Sequence, residues 1–503
     1  MSLPIRADER PNIVLILADD LGAHDLACDG STYHQTPHID SLACEGLRLT
    51  QAYAPAPVCT PTRAALLTGQ APARLQMTIW SEGALNGPQD RPLEQAFSRP
   101  SLPRATVTLA GLLQQAGYLT AVVGKWHLGD ADHAPETHGF DINIGGTRWG
   151  APATFFFPYR GPGSGAEVRY VPHLELGQPG EYLTDRLTTE ALRVIDAAHA
   201  RRQPLFLWLA HHAPHTPLEA PAADVAVCER RLKPGLTHAN PVYAAMIEGI
   251  DAGVGRLLQR IEELGESRNT LVIFTSDNGG YLGTDRRQTI PVTSNAPLRS
   301  GKGTLYEGGL RVPLLIRWPG VIPAGTTSNQ PVVLTDLFPT ICQLTGVSPP
   351  EGTPGDGLDL TPLLRNPQQH LEERSLGFHD PHYYHAPEST PASALRSGDW
   401  KLVEYYEDGR RELFQLADDP GENNDLSTTH PERVAQLAKL LDQWRQQMGA
   451  RHPRPNSRTS VSPQESIPPV IGAPPFGPKV GNFGPINAIR QAIPDMPAPD
   501  HRG

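Results

Sequence analysis

Cysteine is scarce in this chain. Five occur in 503 residues, at 28, 44, 59, 228 and 342, odd in number, scattered and without a Cys-x-x-Cys spacing. That pattern excludes a disulfide framework and leaves free thiols as the expectation. Positive charge is in deficit too: 43 Lys and Arg stand against 54 Asp and Glu, for a formal net charge of −11. No Lys/Arg-dense block appears, so nucleic acid is not an expected partner, and an anionic substrate must be held by local cations. No apolar run approaches the roughly 18 residues of a membrane helix. The opening "MSLPIRADERPN" lacks the apolar stretch of a signal peptide, so the chain as written is expected to be soluble and cytoplasmic. A leader replaced by Met1–Leu3 would make it periplasmic or secreted instead. No Asn-x-Ser/Thr sequon supports a glycosylated secretory protein. What is present, 39% hydrophobic and 19% charged residues, is an ordinary globular composition, long enough for two or more domains.

Continuous apolar runs alternate with segments of helical spacing. "PNIVLIL" at 11–17 reads as a strand buried on both faces, stopped by "ADDLG". A helical pattern follows at 37–47, another from Thr106 with Gly117 as its stop, then "YLTAVVGKWHLG" as strand and loop. Helices are expected over 182–199 and 242–264, and strands at 204–210, in "TLVIFTSDNGG" and in "VPLLIRWPG"; "LTDLFPTICQLTG" is another helix. This alternation predicts an α/β fold with a mostly parallel sheet covered on both faces, and ligands bind such sheets beyond the carboxyl ends of the strands. Four strand exits each deliver polar residues to that edge: Asp19 and Asp20, Lys125 and His127, His215, and Asp277 with Asn278. After about residue 375 the texture changes. "ALRSGDWKLVEYYEDGRRELFQL" alternates like a hairpin turning at Asp408-Gly409, and a helix over 431–448 follows. The expected organisation is a catalytic domain over 1–375, a smaller α+β subdomain with an antiparallel sheet over 376–450, and an irregular Pro/Gly-rich tail over 451–503 that wraps the surface or links to a partner.

Asp19, Asp20, Asp277 and Asn278 are all oxygen donors, which favour Ca²⁺ or Mg²⁺ over zinc. A single Asp pair after a strand is more often a turn cap; two such pairs at neighbouring exits point to a metal. Cys59 precedes Pro61 and the helix-forming "TRAALLTG", which puts it at a helix N-terminus, where the dipole favours developing negative charge. The bland alternative is a buried structural thiol. Arg63 lies one turn on, facing the same side. Lys125 and His127, two apart, share a side in extended geometry. His215 sits in the proline-stiffened "HHAPHTP". Lys302 lies in the Gly-rich "RSGKGTLYEGG", which is otherwise read as a solvent loop. Cations gathered around a divalent metal suit a tetrahedral, multiply charged anion such as sulfate or phosphate.

"CTPTR" resembles the Cys-x-Pro-x-Arg signature of the formylglycine-dependent sulfatases, and the likeness extends in order through "PNIVLILADDLG", "CTPTRAALLTG", "GKWHLG", "HAPHTP", "TSDNGG" and "GKGTLYEGGLRVPLLIRWPG". It spans roughly residues 11 to 450; Thr62, where Ser or Ala is more familiar, is a mild departure. The resemblance implies an alkaline-phosphatase-like α/β/α sandwich. It implies that a formylglycine-generating enzyme or equivalent maturase oxidises Cys59 to an aldehyde, whose hydrate attacks sulfur. It implies Asp19, Asp20, Asp277, Asn278 and the modified Cys59 as ligands of Ca²⁺, with Mg²⁺ as the alternative. Arg63 and Lys125 would orient the hydrate, and Lys125, His215 and Lys302 would hold sulfate oxygens. His215 with Lys302 would protonate the leaving alcohol, and His127 would remove the proton whose loss expels sulfate. "GFHDPHYYH" and the stretch after it look like the C-terminal part of exo-acting carbohydrate sulfatases. A sulfated galactose or N-acetylgalactosamine is therefore the implied substrate, free or in an oligosaccharide, with Arg148, Trp149, His379 and His382 as candidate pocket residues. A polar surface loop is the other reading of the His/Tyr stretch. The competing functions are a phosphonate monoester or phosphodiester hydrolase on the same site, and a non-catalytic sulfated-glycan binder if Cys59 is never converted. A two-zinc phosphatase fits worse, because Asn278 stands where an Asp-His pair would be needed. Oligomeric state is not legible.

Overall fold

The computed structural model describes residues 10–163, 167–285, 289–384 and 389–457. Its centre is an eight-stranded sheet in the order 326–328, 47–49, 314–317, 270–276, 12–18, 205–210, 119–124 and 142–144. The last five are mutually parallel. Strand Asn12–Ala18 shows why the apolar runs are continuous. Ile13, Leu15 and Leu17 join one buried cluster with helices 59–68, 109–115 and 337–345; Val14, Ile16 and Ala18 join another with helices 37–44, 183–201 and 241–263. Both faces are covered, so neither tolerates polar side chains. The result is the expected α/β/α sandwich.

Several boundaries differ from the sequence reading. The helix begun at Pro37 ends at Cys44, and Leu47–Leu49 is a strand. Leu314–Arg317 runs antiparallel to its neighbour 270–276, because the long segment after Ser276 crosses the top of the sheet and re-enters from there. The stretch read as one hairpin is three strands, 392–397, 400–405 and 411–415, with an additional reversal at Gly398, where φ is +58°. Together with Ser375–Asp380 they form an antiparallel four-stranded sheet.

That small sheet couples the helix Pro431–Met448 to the site. Leu395, Leu402 and Leu413 pack on Leu437, Ala438 and Leu441 of the helix, whereas Phe378, Ala394, Val403 and Phe414 pack on Leu305, Tyr306 and Leu310, in the segment that follows Lys302. A buried ion cluster reinforces this contact: the Lys401 ammonium lies 2.9 Å from Glu307 and 2.8 Å from Glu422, and Tyr53 donates to Glu307 at 2.6 Å. The start of the tail is not irregular: Arg454–Pro455 pairs with Leu93–Glu94. The rest of it, from residue 458, lies outside the described residues. Among the described residues no helix is long and apolar enough to cross a membrane.

Candidate active site

Ladder contacts continue just past the strand ends and fix where each exit points. Asp277 donates its backbone N–H to Ala18 at 3.3 Å, Lys125 to Ala210 at 2.7 Å and His211 to Leu17 at 2.9 Å. Gly124 must be glycine for this approach: its φ is +105°, and a Cβ there would lie 1.9 Å from the Ala210 oxygen. The exits therefore converge. Asp20 turns through a left-handed φ of +66° and donates its N–H to Asp277 Oδ1 at 3.3 Å, and its Oδ1 accepts from Asn278 Nδ2 at 2.8 Å. Cys59 is buried at the first position of helix Cys59–Thr68, which stops at left-handed Gly69. Ligand atoms of Asp19, Cys59 and Asp277 lie within 4.8 Å of one another.

Three buried cations interleave with these carboxylates. Arg63 reaches Asp277 Oδ2 from Nε at 2.8 Å and from a terminal nitrogen at 2.7 Å. Lys125 Nζ donates to Asp19 at 2.7 Å, and Lys302 Nζ to Asp20 at 2.6 Å. Burial raises the Asp19 carboxyl well above the carboxylate range, more than Lys125 lowers it, with Asp277 and Asp20 pushing the same way. Burial also works to raise Asp20, but Lys302 and His215 outweigh it and the net shift is downward. Lys302 stays protonated: burial works to lower it, yet Asp20 carries it well upward. At Cys59 burial opposes ionisation, and the charges of Lys125, Lys302 and His127 prevail, bringing the thiol down to about 6.

This donor set fits a hard divalent cation. The buried oxygens Asp19 Oδ1 and Asn278 Oδ1 have no hydrogen-bond partner among the described residues, and three carboxylates crowd a volume from which water is excluded. A cation of oxygen preference satisfies both the orphaned acceptors and the mutual repulsion.

His215 directs Nδ1 to the Thr216 carbonyl at 2.6 Å, which leaves Nε2 facing Asp20 at 3.6 Å. Burial above all lowers its ring to about 3, against the pull of Asp20. His127 takes a left-handed φ of +58°; its ring nitrogens are buried without hydrogen-bond partners among the described residues, and Glu82 lies 3.6 Å from Nε2. Arg148 and Trp149 border this point, since His127 donates its N–H to Thr147 at 2.9 Å and the next glycine, Gly150, abuts the His127 ring. Trp149 is nearly buried, with the Arg148 guanidinium 4.3 Å and that of Arg169 5.2 Å from its ring centre.

His379 and His382 are not brought into the site. His379 lies on strand Ser375–Asp380 with its ring nitrogens on Ser393 at 2.7 Å and the Arg451 carbonyl at 2.9 Å. His382 is held between Thr78 at 2.7 Å and Gln95 at 2.8 Å. Both are packing groups, kept neutral to about pH 3 by burial. This has a testable sign. Below the ordinary histidine value of 6.5 the unfolded chain takes up a proton that folded His382 refuses until about pH 3. Stability therefore falls on acidification by about 1.4 kcal/mol per pH unit for this ring. The urea midpoint of His382→Gln is expected to fall less between pH 7 and 5 than that of the native protein; equal falls would contradict a ring held neutral by burial.

The residue of the His/Tyr stretch that does approach the site is Tyr384, whose ring packs on Gly303 beside Lys302. Its neighbour His385 lies outside the described residues. Glu82 and His212 are also at the site. His212 is buried against Lys125, Arg63 and His215, and burial, then those charges, push it well below the histidine range. The only signal for it was its place in "HHAPHTP"; Glu82, on the five-residue helix Ser81–Leu85, gave none.

Two family profiles match the chain: "Sulfatase" over residues 11–347 and "N-sulphoglucosamine sulphohydrolase, C-terminal" over 301–448. It is 34% identical over 463 residues to N-acetylgalactosamine-6-sulfatase of Mus musculus, covering 89% of this chain and 82% of that protein. To steryl-sulfatase of Mus musculus it is 36% identical over 443 residues, covering 74% and 68%. Among solved structures it resembles Ps i-CgsB in complex with k-i-k-neocarrahexaose, with a TM-score of 0.74 and 31% identity over 87% of this chain and 93% of that one.

Proposed function

From the premise that this chain belongs to the sulfatase family and is a sulfuric ester hydrolase, we propose that it removes sulfate from a sulfated sugar of the galactose or N-acetylgalactosamine type, with Cys59 oxidised to formylglycine by a separate maturation enzyme and Ca²⁺ as its metal. The observation that carries the site reading is the convergence of Asp19, Asp20, Asp277 and Asn278 on Cys59 within a ring of Arg63, Lys125 and Lys302. The sugar preference is supported by two relatives, one named for N-acetylgalactosamine-6-sulfate chemistry and one solved with a neocarrahexaose.

When bound, Ca²⁺ polarises the oxygens it touches, and formylglycine supplies a hydrated aldehyde as nucleophile. Everything else falls to the chain's own residues. Asp19, Asp20, Asp277 and Asn278 hold the cation. Arg63, fixed by Asp277, and Lys125, fixed by Asp19, orient the nucleophile at position 59. Lys125 and Lys302 neutralise the sulfate oxygens in a site without bulk water, where such charges act strongly. His215 presents Nε2 to the leaving oxygen. Its ring is neutral in the free protein, where burial and the charges of Lys302 and Lys125 oppose protonation; the anionic ester beside Nε2 favours it, and protonated Lys302 is itself a second donor for the proton that the departing alcohol needs. His127, with Glu82 behind it, accepts the proton from position 59 that releases sulfate.

The test is turnover, read as inorganic sulfate released from 6-sulfated N-acetylgalactosamine, galactose sulfates and an aryl sulfate, and as phenol released from an aryl phosphonate monoester. The sulfated hexose is expected to have the highest kcat/KM. Preference for the phosphonate would overturn the substrate assignment; faster aryl sulfate turnover with no sugar turnover would overturn the glycan reading.

A further inference from the structure

Asn295 lies in the polar loop between the Asp277–Asn278 exit and Lys302, and it is only 2% exposed. Its side-chain amide mimics a peptide unit. Oδ1 accepts from the Gly280 N–H at 3.2 Å, and Nδ2 donates to the Gly280 carbonyl at 2.9 Å and the Ser300 carbonyl at 3.0 Å. The same Gly280 carbonyl accepts from the Lys302 backbone N–H at 3.1 Å. Three glycines make room for this amide. A Cβ on Gly22, two residues after Asp20, would come 2.4 Å from Asn295 Oδ1; one on Gly280, two after Asn278, 2.8 Å from it; one on Gly301, just before Lys302, 2.6 Å from Nδ2. Each glycine adjoins a different part of the site, and one side chain contacts all three.

We infer that Asn295 is a positioning residue that sets the spacing between the Asp19–Asp20 turn, the Asp277–Asn278 pair and Lys302. The inference rests on the reading of those carboxylates as cation ligands and of Lys302 as a sulfate-binding group. Without the clip, the Gly280 peptide loses both of its amide contacts. The 278–280 turn and the Lys302 loop are then joined only by backbone bonds, from Lys302 to Gly280 and from Gly279 to Gly309, and oxygen ligands on separate loops lose their common frame. A hard cation and a transition state demand fixed ligand spacing, so the loss appears in metal affinity and kcat rather than in substrate capture.

The experiment uses the full chain after chelation, titrated calorimetrically with calcium chloride, alongside kcat, KM and Tm. Asn295→Asp keeps the shape and the Gly280 N–H acceptor but removes both donors; Asn295→Ala removes the clip. For both, calcium affinity and kcat are expected to fall by on the order of 10–100-fold, with KM changing far less. Val254→Ala, a core truncation on helix 241–263, is the stability control, expected to lower Tm and leave calcium affinity unchanged. If the Asn295 variants lose Tm as this control does but bind calcium and turn over like the native protein, the residue is merely structural and the inference fails. If Asn295→Ala does not fold, Gly301→Ala decides: its Cβ would lie 2.4 Å from the Gly280 carbonyl and 2.6 Å from Asn295 Nδ2, forcing that pair apart, and native calcium affinity there would overturn the inference. Calcium affinity is read without substrate. Absence of any sulfatase activity would sink the functional reading, and the calcium titration would still decide the role of Asn295.

Discussion

Cys59→Ala is expected to lower kcat for sulfate-ester hydrolysis by about 10⁴-fold or more, as removal of a nucleophile does, while Tm and the affinity for inorganic sulfate stay near the native values. The separation follows from the geometry. The cations proposed to hold sulfate, Lys125 and Lys302, are fixed by Asp19 and Asp20 and do not depend on the thiol. Truncating one sulfur at a helix N-terminus leaves the core clusters intact. Cys59→Ser is the sharper variant. A serine hydroxyl in this field can take sulfate once, but the resulting ester has no second hydroxyl on the same carbon whose deprotonation by His127 would expel it. It should give at most a stoichiometric sulfated protein, seen by mass, and no turnover. Multiple turnovers by Cys59→Ser would contradict the proposed role of position 59.

Asp277→Asn is expected to have the second-largest effect, on two independent readouts. The Asp277 carboxylate is ionised because Arg63, followed by Lys125, outweighs the burial that would protonate it. Removing its charge leaves the buried Arg63 guanidinium without its closest anion, and breaking such a pair costs about 3–5 kcal/mol. It also removes a cation-facing oxygen charge, so calcium affinity should fall by at least about 100-fold, with kcat falling alongside. Native Tm and native calcium affinity together would contradict both the ion pair and the ligand assignment.

The four strand exits were legible because the site residues follow runs of β-formers, directly at three exits and five residues on at His215, and in a parallel sheet the exits share one edge by geometry. Cys59 was legible because Pro61 and Gly69 bracket a helix. The antiparallel entry of Leu314–Arg317 was not, because the direction of a strand after a long Gly-rich crossover is set by where the loop lands. The small sheet hid one turn, at Gly398, inside an unbroken alternation. His379 and His382 attracted attention as titratable groups, but neither can serve a ligand while Ser393, Arg451, Thr78 and Gln95 occupy their rings. Tyr384, without a comparable chemical signature, is the side chain packed at Gly303. Glu82 and Asn295 act through contacts that exist only after folding, so no local pattern announces them.

The conversion of Cys59 is read directly from the mass of the tryptic peptide Leu49–Arg63 from protein produced in its native host. The expected result is a species with an aldehyde in place of the Cys59 thiol, in active preparations, reactive toward hydrazides and in proportion to activity. A peptide carrying only unmodified thiol, from protein that still releases sulfate, would contradict it.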